Sequence, residues 1–138
     1  MRLEVTRKSD LAVRALRVLA DAPGRVKGPA LADAVGSTSG FVSQVLKPLV
    51  RLGWVRSDPG PSGGYSLEVP LGSVSVLAVI EAIEGPTDSG RCVLADRPCN
   101  EAGTCALHVP WLRARAQLLR ELGATSVADA VSAGGDER

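Results

Sequence analysis

Aromatic side chains are scarce. The 138 residues include one Phe, one Tyr and two Trp, against a hydrophobic content of 45%. A core must therefore be filled by Leu, Val and Ala, small side chains that suit close-packed helices. Long apolar runs are missing as well. The longest uncharged apolar-rich stretch, residues 69–80, falls short of a bilayer span, which takes about 20 residues. The opening MRLEVTRKSD carries charges where a secretory signal would need an apolar stretch. No base–nucleophile pair is visible, and no phosphate-binding loop with its lysine, so an enzyme is not expected. A cytoplasmic location is expected instead. There, cysteines are more often metal-binding or redox-sensing than disulfide-bonded.

What is present is concentrated. All three cysteines and the single histidine fall between residues 92 and 108, spaced Cys-x6-Cys-x5-Cys-x2-His over Cys92, Cys99, Cys105 and His108. The residues between them include Asp96, Pro98, Asn100, Gly103 and Thr104, which are turn formers, so the segment reads as a loop able to fold around an ion or cluster. The spacing lacks the paired Cys-x2–4-Cys clips of a zinc finger and differs from ferredoxin runs. Two or three plain thiols in a loop would be the simpler account. A thiolate site explains better why one polar loop holds every cysteine. Three thiolates leave one coordination place for a weaker ligand, and a nitrogen or oxygen there makes an iron–sulfur cluster more labile. Lability suits a sensor.

The net charge of +1 hides an asymmetry. Residues 1–60 hold ten Lys/Arg against five Asp/Glu, and residues 61–138 hold six against ten. A basic first half suggests an anion-binding module.

Periodicity predicts an amphipathic helix over residues 9–21, with Leu11, Ala15, Val18 and Leu19 on one face. Gly28-Pro29 opens a short helix that Gly36 closes. Ser37-Thr38-Ser39 then supplies an N-cap for a helix over residues 39–52. Its expected buried side is Phe41, Val42, Val45, Leu46, Leu49 and Leu52. Its outer stripe is Ser39, Gly40, Ser43, Gln44, Lys47 and Arg51, small and polar at the start and basic at the end. Pro48 lies inside this helix, so a kink or a tightened last turn is expected.

Two short helices joined by a Gly-containing turn describe a helix-turn-helix. Strands are predicted at 54–57 and around Tyr65, Leu67 and Val69, joined by the turn DPGPSGG. A Gly-rich hairpin in this place reads as a wing. Arg56, Gly60, Ser62, Gly63 and Gly64 are its candidate DNA contacts, glycine letting backbone approach a phosphate closely. A further helix is predicted at 74–84. A long one runs to Leu122 with Pro110 near its first turn, its stripe of Trp111, Leu112, Leu118, Leu119 and Leu122 offering apolar surface to a second copy or to its own domain.

The fold class expected is mainly α with a small β wing: a winged helix-turn-helix plus a long dimerisation helix. Residues 1–72 form the DNA-binding domain, 73–133 the helix, cysteine loop and dimerisation helix, and 134–138 a frayed tail.

The combination resembles the Rrf-two-type winged-helix regulators over nearly the whole chain. Its marks are the opening MRL…SDLAVRAL, the run VSQVLKPLVRLGWVRS…GPSGGYSL, the helix SVSVLAVIEAIEG and the cysteines before CALHVPW. The first cysteine gap of six residues and Pro59 in the wing depart from the pattern of the cluster-biogenesis branch. The resemblance implies a homodimeric regulator of transcription that binds near-palindromic, double-stranded promoter DNA, acts as a repressor, and responds to redox, nitric oxide or iron–sulfur status. It implies an iron–sulfur cluster on Cys92, Cys99 and Cys105. Cys-x2-His-x2-Trp matches the cluster-biogenesis branch, with His108 as fourth ligand and a 2Fe–2S cluster. SDLAVRAL resembles the nitric-oxide-sensing branch, in which the aspartate matching Asp10 reaches a 4Fe–4S cluster. The balance favours His108, since Asp10 has a ready pairing with Arg14 four residues on. Two alternatives stand beside this reading. One is a winged-helix regulator with structural zinc or a thiol switch. The other is a small cluster carrier or electron-transfer protein.

Overall fold

A computed structural model describes residues 6–87 and 105–133, the side chains of 131–133 excepted. Cys92 and Cys99, and the expected frayed tail, lie outside the described residues.

Helix α1 (Arg7–Asp21) begins at Thr6, whose hydroxyl accepts from the Ser9 backbone N–H at 3.2 Å. Capping by Thr or Ser typically stabilises a helix by about 1 kcal/mol. Here it starts the helix two residues earlier than periodicity alone indicates. Leu11, Ala12, Ala15, Leu16 and Leu19 are buried. Asp10, Arg14, Arg17 and Asp21 face out, pairing Asp10 with Arg14 at 3.0 Å and Arg17 with Asp21 at 3.6 Å.

Helix α2 (Gly28–Val35) has proline in its first turn and ends at Gly36, which sits in the left-handed region at φ 68°. Ser37 closes the turn by donating to the Ala32 carbonyl at 2.9 Å. Helix α3 (Ser39–Arg51) starts on the cap Thr38, whose hydroxyl accepts from Phe41 N–H at 3.2 Å. Val42, Val45, Leu46 and Leu49 are buried as expected, and Phe41 is half-buried.

Leu52 is not buried. It is 53% exposed. The helix ends one residue earlier, and Gly53 at φ 79° turns the chain back so that Trp54 N–H reaches the Leu49 carbonyl at 3.0 Å. Val55 is the buried residue that follows this reversal. The helix continues through Pro48. Its end tightens at Gly53, whose N–H bonds the carbonyl of Val50, three residues back, at 3.0 Å.

Strands β1 (Val55–Asp58) and β2 (Gly64–Leu67) pair antiparallel, Ser57 opposite Tyr65 and Asp58 opposite Gly64. The inside–outside alternation expected of the second strand does not appear, since every residue of β2 is half-buried. Its other edge is occupied. Val26, in the link between α1 and α2, exchanges two backbone hydrogen bonds with Tyr65 at 2.8 and 2.9 Å. Nothing in the sequence around Val26 reads as a strand, so this third arm of the sheet is visible only in the fold.

A single 3-10 turn (Leu71–Ser73) leads to α4 (Val76–Glu84), capped by Ser75. Helix α5 (His108–Ala124) follows the cysteine segment, and α6 (Val127–Ala133) closes the described chain. Ser75 and Ser126 form an isolated bridge, which brings α6 back against α1. Val74, Val79 and Val127 belong to the same buried cluster as Leu11, Leu16 and Leu46. The expected division at residue 72 therefore falls within one shared core.

Candidate nucleic-acid interface and cysteine segment

On α3, Ser39, Ser43, Lys47 and Arg51 recur every four residues, with Gly40 and Gln44 alongside. Residues so spaced share one helix face. Ser43 is half-buried, and Ser39, Gly40, Gln44, Lys47 and Arg51 are exposed. The buried face opposite is the Val42, Val45, Leu46 and Leu49 row, so packing fixes which stripe points outward.

The wing is held in place by packing and charge. A Cβ on Gly63 would stand 2.0 Å from the Asp58 carbonyl oxygen, and one on Gly64 would stand 2.7 Å from that of Val26. Gly63 is buried, and both positions need glycine for reasons internal to the wing. Gly60 and Ser62 are exposed at its turn. Arg25, which sequence reasoning passed over, donates to the Ser62 carbonyl at 3.3 Å and pairs with Asp58 Oδ2 at 3.2 Å. Arg56 pairs with the same oxygen at 3.2 Å. Neither guanidinium aims a hydrogen bond at this buried oxygen, so the attraction there is ionic. An arginine in a loop carries no periodicity that could mark this role.

Between α3 and the wing lies a cavity of about 360 Å³, lined by Ser43, Lys47, Val50, Arg51, Ser57 and Tyr65. Lys47 and Arg51 make no ion pair among the described residues, whereas Arg14, Arg17, Arg25 and Arg56 all do. Positive charge is thus left uncompensated where the helix and the wing face the same groove.

Cys105 and His108 stand at the head of α5, both half-buried, with the His108 N–H donating to the Cys105 carbonyl at 3.1 Å. Cys105 precedes the helix, and this backbone bond closes the turn that leads from it into α5. The chemistry of these two donors, a thiol and an imidazole, fits an iron–sulfur or zinc site. Asp10 stands at 3.0 Å from Arg14, whose Nη1 donates to the Val35 carbonyl at 2.9 Å. It is thereby tied to the end of α2.

No residue of α5 is buried. Trp111, Leu119 and Leu122 are half-buried, while Leu112 and Leu118 are 46% and 45% exposed. The helix packs against α4, with Gly123 close to Leu77. Among the described residues, no helix is long and apolar enough to cross a membrane.

A helix-turn-helix with a clamped two-stranded wing and a basic outward stripe defines a winged-helix DNA-binding protein of the transcription-regulator class. Residues 5–133 match the Rrf2 family, described as iron-dependent transcriptional regulators. The chain belongs to that family. It is 30% identical over 131 residues to an HTH-type transcriptional regulator of Azotobacter vinelandii, covering 95% of this chain and 76% of that protein. It is 28% identical over 131 residues to the regulator IscR of Xenorhabdus nematophila, covering 94% and 79%. CymR, the global cysteine regulator of B. subtilis, has the same fold, with a TM-score of 0.73, 22% identity, and coverage of 95% of this chain and 98% of that one.

Proposed function

We propose that this chain is a cytoplasmic, homodimeric repressor that binds near-palindromic promoter DNA under the control of an iron–sulfur cluster on Cys92, Cys99, Cys105 and His108. The observation that carries the DNA reading is the pair Lys47 and Arg51 on the outward stripe of α3, which make no ion pair among the described residues. A recognition helix reads bases from its start and grips phosphate with its cations. In this reading Ser43 and Gln44 take the first task, and Lys47 and Arg51 the second.

The dimer reading rests on α5. Helices in proteins owe most of their stability to tertiary packing, and none of the seventeen residues of α5 is buried. Packing on the shorter α4 leaves Val109, Leu112 and Leu118 about half exposed. A second copy laid along α5 would cover them and set the two recognition helices apart. Half-sites one turn apart require about 34 Å.

The cluster reading rests on the ligand spacing, on the half-buried Cys105 and His108 at the head of the same α5, and on the family's iron dependence. When bound, the cluster would supply a labile, redox-responsive crosslink. The protein's part is to bring the 92–108 segment and the head of α5 together, so that the order of the segment bears on how α5 is held. Asp10 is the rival fourth ligand.

Purification without oxygen tests the proposal. A brown protein with visible absorbance and matching iron and sulfide, binding a palindromic duplex as a dimer, is the expected result. A colourless protein containing zinc, or one without metal, would replace the cluster with structural zinc or a thiol switch. A brown protein with no affinity for duplex DNA would mark a cluster carrier.

A further inference from the structure

The groove between α3 and the wing contains more than the cations the sequence picks out. Ser57 and Tyr65 form a cross-strand pair of β1 and β2, so both side chains emerge on one face of the hairpin. Both line the cavity of about 360 Å³ opposite Ser43, Lys47 and Arg51. Three hydroxyls and two uncompensated cations thus surround one concave space. Among the described residues the Tyr65 hydroxyl makes no hydrogen bond, and no acidic side chain lines the cavity. The Tyr65 backbone is anchored from behind. Its N–H and C=O both bond to Val26, on the edge of β2 away from β1, and its ring edge lies near Gly28.

Such a lining is chemically one-sided. Cations and hydroxyl donors without a carboxylate favour an anion that accepts several hydrogen bonds. The space opens beside the stripe that would enter the major groove, where the nearest such anions are the phosphates along the groove's edge.

We propose that this cavity seats one phosphate–sugar unit of the DNA backbone, with Tyr65 and Ser57 donating to its phosphate oxygens from the wing side while Lys47 and Arg51 close on it from α3. The inference rests on the DNA-binding reading above and adds two contact residues and a docking point to it. A phosphate gripped from both sides would fix the angle between helix and wing and so set the register in which Ser43 and Gln44 meet the bases.

Tyr65 is the only tyrosine in the chain, which makes a clean probe. The full protein labelled with 3-fluorotyrosine should give one fluorine signal, and a palindromic duplex should shift it. Tyr65→Phe keeps the ring and removes only the donor. It should weaken duplex binding about tenfold. The loss should be equal on matched and mismatched sites, and the salt dependence should be unchanged because no charge is lost. Ser57→Ala should do the same to a smaller degree, and thermal unfolding of both free variants should match wild type.

If Tyr65→Phe and Ser57→Ala bind as wild type while Lys47→Ala weakens binding, the docking point is wrong and the DNA reading stands. If Lys47→Ala also binds normally, the DNA reading of α3 fails with it. A fluorine signal moved by inorganic phosphate alone, and not by duplex, would assign the cavity to a free anion and overturn the proposal.

Discussion

Two glycines on the proposed DNA face should respond to the same substitution with opposite signs. At Gly63 an added Cβ would stand 2.0 Å from the Asp58 carbonyl oxygen and 2.6 Å from that of Pro59. Both neighbours are backbone, so neither can swing aside. Non-bonded heavy atoms sit at about 3.5–4.0 Å, so the turn must open by more than an ångström. Opening it strains or breaks the Gly63-to-Gly60 hydrogen bond of 3.0 Å and pulls Asp58 away from Arg25 and Arg56. One hydrogen bond contributes about 1 kcal/mol, and overpacking costs about 1–3 kcal/mol more. Gly63→Ala should therefore destabilise by roughly 2–4 kcal/mol, a large share of the ~5–15 kcal/mol that holds a domain together.

Gly40 has nothing within 4 Å of the same added atom and lies in the first turn of α3. Gly40→Ala should stabilise by about 0.5 kcal/mol through helix propensity and a less flexible unfolded chain. Thermal unfolding followed by circular dichroism reads both. Melting temperatures should fall by roughly 6–15 °C for Gly63→Ala and rise by roughly 1–3 °C for Gly40→Ala. Gly63→Ala melting with wild type would refute the wing geometry. If it melted normally yet lost DNA binding, its glycine would serve phosphate approach rather than the turn.

Lys47→Ala and Arg51→Ala should each weaken binding on every sequence and flatten the dependence of log K on log salt by roughly one unit. Gln44→Ala should instead relax specificity at one base position by about 1–3 kcal/mol, measured across a panel of single-base variants of the site. The same uniform loss from Gln44→Ala and Lys47→Ala would refute that division of roles. Leu119→Glu, on the half-buried side of α5, should give monomers with poor affinity for a palindrome; a wild-type monomer in sedimentation at micromolar concentration would sink the dimer reading. His108→Ala should alter the visible spectrum and cluster stability of anaerobically purified protein, while Asp10→Ala keeps both and loses only its exposed ion pair, about 0.3–0.5 kcal/mol. The reverse outcome would place the fourth ligand at Asp10.

Much of this architecture is legible in the residues because local signals agree with tertiary packing. Thr38, Ser75 and Gly36 mark helix ends by chemistry that acts within one turn, and the Val42, Val45, Leu46 and Leu49 row needs only a 3.6-residue period. Leu52 fits the same period and is exposed, because the chain reverses at Gly53 before the stripe can continue. The bridge from Val26 to Tyr65 and the Arg25 clamp on the wing join residues more than thirty positions apart, and no local pattern announces them. The sequence marks Gly63 and Gly64 for close approach to a phosphate, which a missing side chain would permit. Geometry supplies an internal reason for it, in the Asp58 and Val26 carbonyls.

The charge bias of the first sixty residues gains a physical meaning once its pairs are drawn. Asp10, Asp21 and Asp58 are three of the five acids there, and each is engaged by arginine away from the outer face of α3. The exposed pairs on α1 contribute about 0–1 kcal/mol each, so stability alone does not account for them. Their placement has another effect. The acids neutralise cations on α1 and at the base of the wing, and α3 contains no acid at all. Lys47 and Arg51 are left as concentrated positive charge beside a groove lined with hydroxyls. A field so focused raises the local concentration of polyanions and speeds their encounter. With a net charge of only +1, the chain as a whole offers little such attraction, so cations gathered on one face matter more than the total.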